Sequence, residues 1–180
     1  ILEVGLGGRL DSTNIIERPR LGIITPISMD HEEFLGNSIR KIATEKAGII
    51  KNGERMIFAK QKKSVLKILR NKAKKLGCFT TIQDEDFQSV CNNSNLLFTD
   101  EEKTIPLPKP SLRGTHQVEN AGLAIAALLD LGCTEKALAD SMINVCWPGR
   151  LQKITEGPLS PNVLGFNAEL FVDGAHNPSG

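Results

Sequence analysis

Three residues in the first third of the sequence carry side chains that could build a metal site. Glu3 lies in the apolar run Ile-Leu-Glu-Val, where a carboxylate is costly to bury unless it is paired, hydrogen-bonded or bound to a cation. His31 follows a second apolar run, and Lys46 occupies the last inward position of an apolar stripe in a predicted helix. A carboxylate at the C-terminal end of a parallel strand is a good ligand for a hard cation, and a neutral lysine can react with carbon dioxide to form an anionic carbamate.

Each of these residues also has an ordinary structural interpretation. Glu3 can cap the adjacent glycine turn, and His31 can be a simple first-turn helix residue. Lys46 can run its stem along apolar surface and keep its ammonium group in water. Histidine is an uncommon ligand for magnesium. The residue types by themselves leave both interpretations open.

A second set of polar residues, later in the chain, could bind a nucleotide. Asn120 lies one turn into a predicted buried helix, where its amide can donate to and accept from a base edge such as that of adenine, or take part in a network at the helix end. Arg150 stands in a Pro-Gly-Arg turn, from which its forked guanidinium can reach a phosphate. Asp173 and His176 flank Gly174 after a predicted strand, a position that suits contacts with ribose and phosphate.

The glycine-rich turn GLGGRLDSTN, residues 5–14, matches neither standard phosphate-binding loop. Gly5 and Gly7 fit the dinucleotide fingerprint, but Leu10 stands where the third glycine is required. A Gly-Lys-Ser/Thr triplet, which a Walker loop needs, occurs nowhere in the 180 residues.

Apolar periodicity predicts the elements that must position these residues. Short apolar runs predict strands at 1–4, 21–25, 57–59 and 170–172, and helices are predicted over 31–47, 62–76, 116–131 and 134–146. A capping box of Asp30 and Glu33 is expected to start the first helix. Residues 79–105 read as a small hairpin with turns, and residues 152–167 as a loop. The alternation predicts a doubly wound, mostly parallel α/β sheet, with a domain boundary near residues 147–152.

Composition excludes several classes of protein. The chain is 40% hydrophobic, enough for one core, and 22 basic against 21 acidic residues give a net charge of +1, which argues against nucleic acid as a partner. The basic run over residues 60–75 is interpreted as a solvated helix face. Four cysteines without close or zinc-like spacing indicate a reducing cytoplasm, and the longest uncharged apolar stretch, residues 121–129, is too short to span a membrane.

Five motifs in order resemble one enzyme family. The motifs are EVGLGGRLDSTN, DH with the later EKAGI, HQ with NA, PGRLQ, and DGAHNP. They resemble those of the folylpolyglutamate synthase and dihydrofolate synthase family, a branch of the ATP-dependent Mur-type amide ligases. The resemblance spans nearly the whole chain except for residues 60–110. It implies a Mur-type ATPase domain over residues 1–147, and over residues 148–180 a hinge and the start of a smaller α/β domain.

The resemblance also implies a reaction and a set of roles. The family uses ATP and Mg²⁺ to join L-glutamate to dihydropteroate or to the glutamyl tail of a folate through an acyl phosphate, commonly as a monomer in the cytoplasm. The roles implied are as follows: Glu3 and His31 bind Mg²⁺, carbamoylated Lys46 supports the metal region, Leu10, Asp11 and Ser12 contact the pterin substrate, and Asn120, Arg150, Asp173 and His176 face ATP.

The chain departs from the family pattern at its ends. The phosphate loop and the pterin-binding loop are expected upstream of Glu3, and most of the second domain beyond Gly180. We therefore expect a central fragment that is inactive by itself. Two alternatives stand beside this interpretation: an inactive remnant of a split synthase gene, and a cell-wall Mur ligase, which shares the adenine-binding asparagine and the lysine carbamate. The strings GLGGRLDSTN and DGAHNP favour the folate branch.

Overall fold

The structure, a computed structural model, describes residues 1–158, 166 and 168–175. Its helices are α1 (Glu32–Leu35), α2 (Ile39–Lys46), α3 (Lys63–Lys75), α4 (Thr115–Asp130) and α5 (Glu135–Asn144). Its strands are β1 (Gly22–Ile24), β2 (Arg55–Phe58), β3 (Phe79–Ile82), β4 (Phe87–Cys91), β5 (Asn95–Asp100), β6 (Thr104–Pro108), β7 (Gln152–Ile154) and β8 (Leu170–Val172). Short 3-10 turns cover Ser12–Ile15 and Ala47–Ile49.

The first half of the chain forms a parallel sheet of three strands in the order β1-β2-β3. Gly22 pairs with Met56, which in turn pairs with Thr80. Helices α2 and α3 bury their apolar stripes against this sheet, and Ile42, Phe58 and Leu69 are among the fully buried side chains. Burial of each such side chain stabilises the fold by about 1.5–3 kcal/mol. The predicted α/β class and parallel sheet are confirmed.

The second half contains an antiparallel sheet, β4-β5-β6, that the sequence only partly indicated. Leu96, Phe98 and Leu107 alternate inward and pack with α4 and α5 in a second core. Instead of a small hairpin, residues 79–105 contain the third parallel strand and most of this sheet. The reason is tertiary, because the short segment Phe79–Ile82 becomes a strand by pairing with β2, which lies more than twenty residues earlier.

The predicted helix over residues 31–47 is in fact two helices. Gly36 has φ 91°, a left-handed conformation that interrupts the helix, and the Ser38 hydroxyl accepts a hydrogen bond from the Lys41 backbone N–H at the start of α2. The predicted capping box is wrong. His31 itself is the N-cap of α1, with φ 48°, and the Asp30 carboxylate accepts a hydrogen bond from the His31 backbone N–H at 2.9 Å.

Two predictions near the chain ends are also corrected. Residues 1–4 form no strand, because they pair with no ladder in the part of the chain that the structure describes. Residues 152–154, predicted as loop, form β7 and pair antiparallel with the predicted strand β8, with Lys153 opposite Phe171. Among the described helices, none has the length and apolar character needed to cross a bilayer.

Candidate active site

Asp11 organises the glycine loop, the name used here for residues 5–14. Its carboxylate accepts hydrogen bonds from the backbone N–H groups of Gly5 and Leu6, both at 3.0 Å, and from Thr13 through N at 2.9 Å and Oγ1 at 2.5 Å. These donors stabilise the ionised form, so the Thr13 hydroxyl first and the backbone groups after it lower the pKa of Asp11 to about 2. The loop is therefore wound around one carboxylate.

The glycines of this loop permit close packing against the end of α2. The Arg9 backbone N–H donates to the Glu45 carbonyl at 2.9 Å, and the Arg9 guanidinium lies 3.2 Å from both Glu45 carboxylate oxygens. A Cβ atom at Gly8 would lie 2.9 Å from the Glu45 carbonyl oxygen, and one at Gly48 would lie 2.4 Å from the Arg9 Cβ atom. The close approach of the two backbones explains why glycine stands at positions 8 and 48, so a phosphate-binding role is not needed to explain them.

The backbone of the glycine loop lies close to Lys46, the residue proposed to carry a carbamate. A Cβ atom at Gly8 would lie 3.2 Å from the Lys46 Cα atom. Lys46 is half-buried, and its ammonium group has no ion pair or hydrogen bond within the described part of the chain. The side chain is thus available for reaction or for solvent contact.

Glu3 and His31, the candidate metal ligands, are both exposed. No ion-pair contact joins them, and across the described residues no three His, Cys, Asp or Glu side chains form a cluster suited to a metal. His31 Nε2 lies 3.8 Å from the Asp30 carboxylate, beyond hydrogen-bonding distance. Mg²⁺ usually takes one or two protein carboxylates and completes its octahedron with water and phosphate oxygens, so the exposed Glu3 carboxylate fits that ion better than the His31 imidazole does. The described residues form no closed protein cage for a metal.

The three candidate substrate contacts differ in what their side chains already do. Leu10 is 80% exposed and Ser12 is also exposed at the start of its 3-10 turn. Asp11, in contrast, already accepts four hydrogen bonds within its own loop. The structure therefore presents Leu10 and Ser12 at the surface, whereas the Asp11 carboxylate is engaged by hydrogen bonds within the loop.

A chain of polar side chains occupies the start of α4. His116 Nε2 lies 3.1 Å from Gln117 Nε2, and Asn120 Nδ2 donates to Gln117 Oε1 at 3.3 Å. Gln117 is buried, whereas His116 and Asn120 are exposed. The Asn120 carboxamide oxygen has no partner in the described part of the chain, so it can accept a hydrogen bond from a ligand amine.

Asp173 ties the C-terminal hairpin, namely β7, β8 and the turns at residues 149–151 and 173–175, into a closed unit. Its carboxylate accepts hydrogen bonds from the Leu151 N–H at 2.6 Å and the Ala175 N–H at 2.7 Å, and Gly174 N–H donates to the Gly149 carbonyl at 2.8 Å. The Ala175 and Leu151 donors lower the pKa of Asp173.

The charges of Arg150 and His116 contribute further to the lowered pKa of Asp173. Arg150 and His116, which are far from Asp173 in sequence, therefore act electrostatically on its carboxylate. His176, the fourth predicted nucleotide residue, lies outside the described residues.

Sequence reasoning missed one further contact at this end. The Arg113 guanidinium carbon lies 5.4 Å from the centre of the Phe171 ring and connects the approach to α4 with β8. No spacing in the sequence signals this pair, because the two residues are separated by more than fifty positions.

Comparison with known proteins identifies the family to which the chain belongs. Residues 1–128 match the Mur ligase middle domain. The chain is 37% identical over 191 residues to the dihydrofolate synthase/folylpolyglutamate synthase of Bacillus subtilis, covering 100% of this chain and 42% of that protein.

Two solved structures share the fold. A folylpolyglutamate synthase complex with AMPPCP and folate superimposes with a TM-score of 0.84 at 28% identity, over 99% of this chain and 43% of that one. Escherichia coli FolC in complex with DHPP and ADP gives a TM-score of 0.80 at 30% identity, over 98% of this chain and 39% of that one. The chain thus spans about two-fifths of the length of these relatives. The predicted resemblance is confirmed, and the chain belongs to the Mur ligase family through its middle domain, on the folylpolyglutamate and dihydrofolate synthase side.

Proposed function

We propose that the chain is part of an ATP-dependent ligase that joins L-glutamate to dihydropteroate, to the glutamyl tail of a folate, or to both. The observation that carries the proposal is the polar chain of His116, Gln117 and Asn120 at the start of α4, because His116 also acts electrostatically on Asp173 of the C-terminal hairpin. The names of the relatives and the ADP and AMPPCP in the solved neighbours support the same reaction class.

The proposed chemistry proceeds in two steps. An oxygen of the substrate carboxylate attacks the γ-phosphorus of ATP, which gives an acyl phosphate and ADP. The glutamate amine then attacks the acyl carbon, phosphate leaves with the former carboxylate oxygen, and the nitrogen loses a proton as the amide forms. Both steps depend mainly on positioning and on stabilisation of negative charge.

Residues at the nucleotide end have distinct proposed roles. The Asn120 carboxamide accepts from the adenine amino group, and Arg150 binds phosphate oxygens through its guanidinium. Asp173 is ionised at neutral pH, since its pKa lies below an ordinary value that is itself well under 7, so its carboxylate can accept hydrogen bonds from ribose hydroxyls. We propose that His176 also faces the nucleotide.

Residues in the first third of the sequence would contact the pterin substrate and the metal. Leu10 and Ser12 form part of the pterin wall, with Asp11 holding their loop. Glu3 and His31 would hold Mg²⁺, which when bound neutralises charge on the phosphoryl group. A neutral Lys46 amine would attack carbon dioxide, form an N–C bond and release a proton, and the resulting anion would support the metal region.

Oxygen-isotope transfer tests the proposed reaction. The polypeptide as its cell produces it is given ATP, Mg²⁺, glutamate and a pteroate or folate substrate with ¹⁸O in its reacting carboxylate. The acyl phosphate route moves one ¹⁸O atom into the released phosphate, whereas phosphate without label contradicts it. No turnover and no ATP binding indicates the inactive remnant, and turnover only with cell-wall precursors indicates the other Mur branch.

The nucleotide role is tested by calorimetric titration with ATP and Mg²⁺. Asn120→Ala is expected to weaken ATP binding about tenfold, the effect of losing one good hydrogen bond. Asn71→Ala, at an exposed position of α3, is the matched control. Equal ATP affinity of the Asn120→Ala variant and the unsubstituted protein contradicts the assignment.

The lysine carbamate has its own signature. Native mass spectrometry in bicarbonate is expected to show an adduct of one carbon dioxide that Lys46→Ala loses and that Lys72→Ala, at an exposed site of α3, retains. Persistence of the adduct in Lys46→Ala contradicts the assignment.

We place the reaction in the cytoplasm. All four cysteines are free thiols in the structure, which suits a reducing compartment.

A further inference from the structure

Gln83 is a buried polar residue at the carboxyl edge of the parallel sheet. It directly follows β3, and its backbone N–H donates to the Phe58 carbonyl at 2.9 Å, which extends the β2–β3 pairing by one residue. Its side chain is only 4% exposed, and Gln117 is the other buried polar residue in the described part of the chain. A buried carboxamide is retained at such a place when both of its ends are satisfied.

The Gln83 side chain joins three elements. Its Oε1 accepts from the Lys60 backbone N–H at 3.2 Å, just beyond β2, and its Nε2 donates to the Glu119 carbonyl in α4 at 3.2 Å. One amide group therefore connects the ends of β2 and β3 with the helix residue immediately before Asn120.

A second contact holds the neighbouring carbonyl of the same helix. Ser89 of β4 donates through Oγ to the Val118 carbonyl at 3.0 Å. A Cβ atom at Gly122 would lie 2.3 Å from Ser89 Oγ, so α4 approaches β4 more closely than any residue other than glycine allows. Two successive carbonyls of α4 are thus fixed from the two sheets.

The two hydrogen bonds to α4 constrain its rotation about its axis, which apolar burial alone does not. Apolar packing holds α4 against the sheets but is non-directional. Hydrogen bonds to two carbonyls also fix the rotation of the helix about its axis, and each residue of an α-helix is displaced by 100° from the one before it. A small rotation of α4 would therefore move the Asn120 carboxamide relative to Arg150 and Asp173.

We propose that Gln83 is a positioning residue for nucleotide recognition, which fixes the rotation of α4 and so aims Asn120 at the base. The inference rests on the proposed function for its kinetic consequence. In this proposal Gln83 acts through its hydrogen bond to the Glu119 carbonyl and not through contact with a substrate.

Two substitutions at one site separate the two ends of the amide. Gln83→Met keeps the side-chain length and loses both hydrogen bonds, whereas Gln83→Glu keeps an acceptor for the Lys60 N–H and loses the donor to the Glu119 carbonyl. In the polypeptide as its cell produces it, both variants are expected to raise the KM for ATP about tenfold with less than about a twofold change in kcat, as for loss of uniform binding. The preference for ATP over ITP, whose base carries a carbonyl in place of the amino group, is expected to fall, and the KM for the pteroate or folate substrate to stay unchanged.

The matched control is Gln88→Met, at an exposed glutamine of β4. Wild-type KM and ATP preference in Gln83→Glu overturns the inference, because the Glu119 contact would then not matter. If Gln83→Met does not fold, Gln83→Glu carries the kinetic test and Ser89→Ala is added, with an expected rise of about threefold in the KM for ATP. An unchanged KM in both variants overturns the inference, because the rotation of α4 would then not affect ATP binding.

Amide hydrogen exchange tests the positioning role of Gln83 without relying on catalytic activity. Gln83→Met, or Ser89→Ala in its place, is expected to accelerate amide exchange over residues 118–123, since the helix loses an anchor. If the unsubstituted protein binds no nucleotide, the proposed function fails, and unchanged exchange in the variant then overturns the positioning role separately.

Discussion

The glycine loop and the C-terminal hairpin are both organised by an aspartate, and the two aspartates are used differently. Asp11 accepts four hydrogen bonds from its own loop, whereas Asp173 accepts two and has the charges of Arg150 and His116 nearby. The comparison indicates that a carboxylate saturated by local donors is structural, while one with remaining acceptor capacity and cationic neighbours is available to a ligand.

The two regions also differ in how firmly they are docked. The glycine loop is packed onto α2 so closely that Gly48 has no room for a side chain, whereas a Cβ atom at Gly174 would meet only the Gly149 carbonyl oxygen, at 3.5 Å. The loop is held against the end of α2 by close backbone contact and by the Arg9–Glu45 hydrogen bonds. The hairpin is attached through a few polar contacts and the stacking of Arg113 on Phe171. Stability is expected to depend on the first region and nucleotide binding on the second.

The largest expected effect compares alanine at the two glycines. Gly48→Ala places its Cβ atom 2.4 Å from the Arg9 Cβ atom and is expected to lower the free energy of unfolding by about 1–3 kcal/mol, because the loop or α2 must shift. Gly174→Ala is expected to change it by less than about 0.5 kcal/mol. Urea titration of both variants measures the difference, and equal losses would break the comparison.

A tenfold effect is expected from Asp173. Asp173→Asn keeps the shape of the side chain but removes the charge, so ATP is expected to bind about tenfold more weakly, equivalent to about 1.4 kcal/mol. Calorimetry with ATP and Mg²⁺ measures this, with Asp140→Asn on α5 as the control. Unchanged affinity in Asp173→Asn would remove the hairpin from the nucleotide site.

The smallest expected effect is a dependence of the free energy of unfolding on pH, which is limited to acidic pH. The folded pKa of Asp11 is about 2, below its ordinary value of 3.8, so its contribution to stability is fully present above about pH 4 and is lost as the pH falls toward 2. The pKa of Asp173 is also lowered, so its contribution is likewise lost only below its ordinary range.

Urea titrations from pH 2 to 6 sharpen this part of the comparison. Asp11→Asn is expected to be less stable than the unsubstituted protein above pH 4 and to approach it near pH 2, so its stability depends less steeply on pH. Glu101→Gln, at an exposed position of the β5–β6 turn, should leave the pH profile unchanged. A profile of Asp11→Asn parallel to that of the unsubstituted protein would contradict the structural role of Asp11.

The elements with long apolar periodicity were predictable. The stripe of Val65, Leu69 and Ala73 correctly predicted α3, and the Ala- and Leu-rich run predicted α4. Short segments were harder, because four residues such as Phe79–Ile82 carry too little pattern to distinguish a third parallel strand from part of a hairpin. The capping prediction at Asp30 was wrong because His31 adopts a left-handed conformation that local spacing does not reveal.

The candidate site divides in the same way. The ordered motifs correctly predicted the family, since residue types such as those of GLGGRLDSTN and DGAHNP reflect local chemistry that the sequence carries directly. The roles of Glu3, His31 and Lys46 in a metal site remain a proposal. Gln83 was not found, because a single glutamine after an apolar run has no signal until its two partners are known.

The sequence by itself determined the α/β class, the main helices and the family, because periodicity and motif chemistry are properties of neighbouring residues. Only the tertiary structure decided which carboxylate is committed to its own loop, how closely the glycine loop packs on α2, and which residues surround Asp173. These features depend on contacts between residues that are distant in the chain, such as Gln83 with Glu119. Such contacts exist only after the two sheets have packed on α4 and fixed its orientation.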